Sequence, residues 1–209
     1  MPSSSRILTS HVGSLIRPDD LLVFLLKQQN GEAFDQKAFE ACLERSVAEV
    51  VQRQAEIGID LVSDGEFGKT ISWSRYVLER LGGIEERFGE AITFVASVAG
   101  KDRRDFAAFY DEYEAQHGFV GMGKVTKKAG TWHITGPIRY TGQAAIQRDI
   151  ADVKKAIGGQ KVVNAFLPVA APASVLPHRK DDFYKTEEEA LFAIAGALRE
   201  EYKAITDAG

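Results

Sequence analysis

The 209-residue sequence holds a single cysteine, Cys42, so it can close no internal disulfide. A chain of this length must then be held by its core. One thiol also excludes a zinc site built from several cysteines, and no Cys-x-x-Cys, His-x-x-Glu-His or His-x-His occurs. Gly-x-Gly-x-x-Gly is missing after the first expected strand, and so are a P-loop and a nucleophile elbow. The common nucleotide, dinucleotide and serine-hydrolase chemistries are thereby set aside. No apolar run approaches the ~18 residues of a membrane span. Met1–Arg6 has no apolar stretch of the kind a secretory signal needs. Lys and Arg number 26 against 30 Asp and Glu, a net charge of -4 without the clustered basic face that nucleic acid requires. What remains is ordinary: 44% hydrophobic and 27% charged residues, as in a globular protein. The expectation is a cytoplasmic protein with neither membrane nor nucleic acid as partner.

Apolar runs and helical periodicity alternate along the chain. Ile7–Val12 reads as a short strand ending at Gly13-Ser14. Pro18-Asp19-Asp20 opens a helix, since proline suits a first turn and early acids complement the helix dipole. A long helix is expected from about Asp35 to Ile57, with Phe39, Cys42, Leu43, Val47, Val50 and Val51 spaced by three and four and Gly58 closing it. Ile59–Ser63 reads as a second strand ending at Asp64-Gly65-Glu66, and residues 72–82 as a helix closed by Gly82-Gly83. Residues 84–130 read as an insertion, with a strand over Thr93–Val98, a helix over Arg103–Gln116 and a polar extended stretch over Lys124–Lys128. Trp132–Thr135 reads as a third strand ending at Gly136-Pro137. A helix over Ala144–Ile157 leads to a fourth strand, Val162–Leu167. Thr186-Glu-Glu-Glu189 resembles a capping box that starts a last helix running to Asp207. Four βα units in this order imply a parallel sheet covered by helices, either an open doubly wound sheet or part of a (β/α)₈ barrel.

In both architectures function gathers at the carboxyl ends of the strands. That rule selects His11-Val12-Gly13-Ser14, Asp64-Gly65-Glu66, Thr135-Gly-Pro137 and Leu167-Pro168. Gly13 lets backbone come close to a ligand and Ser14 offers a hydroxyl; the plainer reading is a turn that ends a strand. Asp64 and Glu66 could hold an ammonium group, bind a metal or move protons. Against that stands a solvated turn in which one acid caps the next helix. His11, in an apolar strand, is more often a satisfied core histidine than a ligand.

The stretches Ile7–Pro18 and Gln54–Gly68 carry a family resemblance. They are similar to the first two strands of the catalytic domain of cobalamin-independent methionine synthase, and closer still to its stand-alone, single-barrel branch, family II. Ile134–Ile138 and Ala165–Ser174 resemble the third and fourth strands, less specifically. The resemblance implies a (β/α)₈ barrel, of which residues 1–209 are the first four βα units, with an insertion between units two and three.

The same resemblance implies transfer of a methyl group from a methyl-tetrahydrofolate-type donor to the thiol of homocysteine. It calls for zinc to activate the thiol and for no cobalamin. It gives Val12, Gly13 and Ser14 the amino-acid end of homocysteine, and Glu66 its ammonium group. Asp64 and His11 stand beside them as further substrate-binding candidates. The family's zinc ligands, a histidine, two cysteines and a glutamate from later strands, have no counterpart before Gly209. The chain is therefore expected to stop short of the metal, inactive alone, with sheet edges open to homo-oligomer formation or to completion by another polypeptide. Two alternatives stand beside this: a non-catalytic half-barrel that binds or assembles, and a family member that alkylates a different thiol.

Overall fold

The computed structural model describes residues 6–69, 73–87, 100–117, 131–175 and 179–209. Helix α1 (Asp19–Asn30) starts behind Pro18 and ends where Gly31 turns into the left-handed region and returns its N–H to the last carbonyls. Helix α2 (Gln36–Glu56) is opened by Asp35, whose carboxylate accepts the amides of Lys37 and Ala38 at 2.9 and 3.1 Å. Its buried positions, from Phe39 through Leu43, Val47 and Val51 to Gln54, repeat at helical spacing and form one face.

That face covers strand β1 (Leu61–Ser63). Across the sequence, β1 pairs in parallel with strand β4 (Asn164–Phe166), Leu61 opposite Asn164 and Ser63 opposite Phe166. On its other side Leu61 makes a single parallel bridge to Ser10. The expected first strand is thus an extended segment with a single strand bridge, tied further to Asp60 by Arg6 and Thr9. Helix α6 (Gln143–Ile157) packs against α2, and together with α1 they bury Leu21, Leu25, Leu43, Val51, Val62 and Phe67 in one core. Each such large side chain removed from water contributes roughly 1.5–3 kcal/mol before entropy is counted.

Between β1 and β4 the chain builds a second sheet. Helix α3 (Trp73–Glu79) leads into strand β2 (Leu81–Arg87), which pairs antiparallel with β3 (Thr131–Tyr140). Helices α4 (Gly100–Asp105) and α5 (Ala107–His117) lie between them in sequence. After β4, a 3-10 turn at Pro172–Ser174 precedes β5 (Arg179–Asp181), which pairs in parallel with β3. The last helix, α7 (Glu187–Asp207), packs on β3 and closes a second core around Ile134, Ile138, Val175, Ile194 and Leu198. Its N-cap Thr186 accepts the amide of Glu189, whose carboxylate reaches back to the amide of Lys185, in the manner of a capping box.

Two expectations need correction. The segment Trp132–Thr135 is a strand, but it does not lie between β1 and β4; it belongs to the other sheet and continues through Gly136-Pro137 to Tyr140. The four-strand parallel order is therefore replaced by the Ser10 segment, β1 and β4. The chain also departs from the expected elements at the edge of residues 84–130. Strand β2 begins at Leu81, where a helix closing at Gly82-Gly83 was expected, and pairs with β3. Glycine is needed at Gly83: φ is +83°, the register shifts there, and a Cβ would lie 2.6 Å from the Pro137 carbonyl. The helix expected over Arg103–Gln116 is the pair α4 and α5. The strand expected at Thr93–Val98 and the polar stretch Lys124–Lys128 lie outside the described residues. No helix among the described residues is long and apolar enough to cross a membrane.

Candidate functional site

The carboxyl end of β1 is the loop Asp64–Lys69, and the segment Gly13–Arg17 lies against it. Gly13 turns the chain at φ +98°, which brings the next residues over the loop. The Leu15 amide donates to the Gly65 carbonyl at 3.1 Å. The Ser14 hydroxyl donates to Glu66 Oε2 at 2.5 Å, and Arg17 Nη2 donates to the Glu66 carbonyl at 2.8 Å. Two stretches some fifty residues apart in sequence thus converge on one glutamate.

Glu66 itself is strained. Among the described residues it is the one non-glycine with positive φ, at +62°. A side chain in that region costs on the order of 1–2 kcal/mol. The surroundings hold it there. Asp64 Oδ1 accepts the Glu66 amide at 2.9 Å, while the Glu66 carbonyl takes both Arg17 and the Lys69 amide at 3.2 Å. Asp64 on one side and Arg17 with Lys69 on the other thus fix the backbone of Glu66 in that conformation.

Below the loop the charges are buried. Asp64 is 2% exposed and Lys69 4%. Burial pushes the Asp64 carboxyl up to about 6, opposed by the Lys69 charge. Burial likewise lowers the Lys69 ammonium, which Asp64 and Glu66 counter. The Lys69 ammonium donates to the Pro168 carbonyl and lies 4.7 Å from the centre of the Tyr76 ring. Lys69 thereby ties the loop after β1 to the loop after β4. Tyr76 Oη accepts the Ala170 amide at 2.7 Å, and Tyr202 Oη donates to the Ala170 carbonyl at 2.5 Å. These contacts join the two strand-end loops into one rim.

The sequence-selected residues are placed as follows. Ser14 and Glu66 meet side chain to side chain. Asp64 supports the Glu66 amide from beneath. Val12 is 84% exposed, so its side chain packs on little. His11 is half-buried, and its Nε2 is covered without a partner. Sequence reasoning missed Arg17 and Lys69. Arg17 carried a usable signal, a cation in the strand-end segment itself; Lys69 reads in sequence as an ordinary surface lysine. A groove of about 890 Å³ runs between α2 and α6, lined by Phe34, Phe39, Glu40, Glu44, Arg148 and Asp152; it reaches Gly68 and Tyr76 at the rim but not Ser14, Glu66 or Arg17.

The buried Asp64 gives a pH signature. Its folded pKa of about 6 lies above the ordinary 3.8, so between those values the folded state holds a proton that the unfolded state releases. Stability then falls as pH rises through that window, by roughly 3 kcal/mol at the upper bound. Asp64→Asn keeps an acceptor for the Glu66 amide but cannot titrate. Relative to that variant, the wild type is expected to lose stability between pH 4.5 and pH 7 in urea titrations at the two pH values. Parallel behaviour of the two proteins would refute the assignment.

Barrel and doubly wound folds place their ligand sites at the carboxyl ends of parallel strands, which is where these polar groups lie. Comparison with solved structures narrows the architecture. Residues covering 96% of the chain superpose on 48% of a B12-independent methionine synthase from Shewanella sp. W3-18-1 in complex with selenomethionine, at TM-score 0.60 and 19% identity. A candidate vitamin-B12-independent methionine synthase from Listeria monocytogenes matches 98% of the chain over 51% of its own length, at TM-score 0.61 and 22% identity. The chain thus spans about half the length of these structures and shares the fold of that half. No protein-family model and no curated protein sequence matches it.

Proposed function

We propose that this chain carries the amino-acid-binding part of a cobalamin-independent methionine synthase-type methyltransferase of the single-barrel branch. Its substrate is the thiol amino acid homocysteine, and the methyl group comes from a methyl-tetrahydrofolate-type donor. The observation that carries the reading is the Ser14–Glu66 contact, made across two strand-end loops with Glu66 held at positive φ. The fold shared with methionine synthase structures supports it, and one of those was solved with selenomethionine.

In this reading the Glu66 carboxylate takes the ammonium group of the amino acid, and Ser14 keeps that carboxylate aimed while the site waits. Gly13, Ser14 and the Val12 backbone line the head of the ligand. His11 and Asp64 stand behind them, Asp64 fixing the Glu66 turn. Zinc, when bound in an enzyme of this type, lowers the pKa of the substrate thiol. Among the described residues no group of three or more His, Cys, Asp and Glu could hold a metal ion; in this reading their part is binding and orientation. The reaction belongs to the cytoplasm, with neither membrane nor nucleic acid involved.

A ligand pair tests the reading. L-Homocysteine and 4-mercaptobutanoic acid differ only in the amino group. Calorimetric titration of the chain is expected to give a dissociation constant at least ~10-fold lower for homocysteine, the factor that about 1.4 kcal/mol of ammonium binding supplies. Equal affinities would remove Glu66 as the ammonium site, and no binding of either would remove the amino-acid reading.

A further inference from the structure

The groove of about 890 Å³ between α2 and α6 has the size of a small-molecule site. Phe34 and Phe39, with ring centres 5.7 Å apart, line its apolar side. Its charged side chains do not balance. Arg80 is engaged by Asp149 and Glu201, and Arg148 donates to Asp149 at 2.9 Å, so neither arginine is left to serve the groove. Glu79 is paired with Arg75 at 3.0 Å.

Three acids remain. Glu40 and Glu44 stand one turn apart on α2, and Asp152 stands on α6. Lys155 bonds Glu44. Glu40 accepts the neutral side chain of Gln36 at 2.9 Å and pairs with no cation among the described residues. Asp152 is half-buried and makes no hydrogen bond or ion pair among them. Burial pushes its carboxyl up to about 6; the Arg148 charge opposes this, and the charges of Asp149 and Glu44 add to it. One lysine thus answers three carboxylates, and the groove is short of positive charge.

The placement of the acids selects the shape of the missing cation. They do not converge as metal ligands must, and no group of three or more His, Cys, Asp and Glu among the described residues could hold a metal ion. They lie along the walls instead. Helix positions one turn apart are about 5–6 Å from each other, the separation of two ammonium groups joined by an extended four-carbon chain. Methylenes between such groups would be drawn from water onto the phenylalanine side.

We propose that the groove between α2 and α6 binds a linear aliphatic polyamine, with its ammonium groups held by Asp152, Glu40 and Glu44 and its methylenes laid against Phe34 and Phe39. This site is independent of the amino-acid reading and includes neither Ser14 nor Glu66. Lys155 occupies part of it in the free protein and yields Glu44 to the ligand.

Spermidine is the probe, titrated calorimetrically into the full chain at physiological salt, where attraction to the net negative charge at long range is screened. Asp152→Asn keeps the shape of the side chain and is expected to weaken binding about tenfold, and Glu40→Gln, at a more exposed position, about threefold. Lys155→Gln removes the internal competitor and should strengthen binding about twofold. Glu188→Gln removes the same charge from the exposed start of α7 and should leave binding unchanged. N-acetyl-trilysine amide carries the charge of spermidine on a peptide backbone and should bind more weakly. The proposal is overturned if spermidine does not bind, if Asp152→Asn binds it as the wild type does, or if Glu188→Gln weakens binding as much as Asp152→Asn. Tighter binding of the trilysine peptide would give the groove to a protein partner and overturn it as well.

Discussion

Arg80→Met is expected to cost ~3–5 kcal/mol of folding stability, the range seen when one partner of a buried ion pair is removed. Arg80 stands behind the strand-end rim, at the end of α3, and is itself buried. It donates to Asp149 Oδ2 of α6 at 2.6 Å and to Glu201 Oε1 of α7 at 3.3 Å. Its guanidinium also lies 5.2 Å from the Tyr76 ring centre. The two acids are 4% and 1% exposed. Asp149 would keep Arg148, at 2.9 Å. Glu201 would keep only the neutral Tyr140 hydroxyl beside it, and no cation. Most of the penalty should therefore sit on Glu201. A double-mutant cycle separates the contributions: Arg80→Met with Glu201→Leu should recover much of the loss, since removing both partners leaves no stranded charge. Urea denaturation of the four proteins measures it. A loss below about 1 kcal/mol for Arg80→Met would mean that α3, α6 and α7 are joined by their apolar contacts alone.

The second large effect is on ligand binding. Glu66→Gln keeps the shape of the side chain and an acceptor for Ser14, but removes the charge. A hydrogen bond to a charged group is worth about 1.5–3 kcal/mol, so homocysteine affinity should fall by roughly ten- to a hundredfold. Stability should hardly change. Glu66→Gly separates the two roles further. Glycine accepts φ +62° without strain, so that variant should gain up to about 1 kcal/mol in stability while losing the ligand. A glutamate that weakens the fold and is needed for binding is the pattern of a functional residue. If Glu66→Gly destabilised the protein and Glu66→Gln bound normally, Glu66 would be structural.

The helices were legible in sequence because each depends on local chemistry. Asp35, Thr186 and the Gly31 turn act within a few residues, and the apolar spacing of α2 is its own core face. Sheet membership was less legible. Trp132–Thr135 alternates as a strand should, but alternation does not name a partner, and its partner β2 is disguised by Gly82, Gly83 and three charged residues at Glu85, Glu86 and Arg87. The first strand reads as a full strand, yet only Ser10 is bridged. At the site, the strand-end rule and the family resemblance both led to Ser14 and Glu66, which the fold brings into contact. Arg17 and Lys69 escaped because their roles depend on partners far along the chain: the Glu66 carbonyl for one, the Pro168 carbonyl for the other. Long charged side chains default to solvent in any reading by pattern, and only the tertiary fold shows which of them are drawn inside.

The most direct test of the amino-acid site is a crystal of this chain soaked with L-selenomethionine and measured at the selenium absorption edge. The account predicts one anomalous selenium position beside the strand-end rim, with the ligand ammonium within hydrogen-bonding distance of the Glu66 carboxylate. A selenium position in the groove between α2 and α6, with Ser14 still bonded to Glu66 and nothing above them, would contradict it.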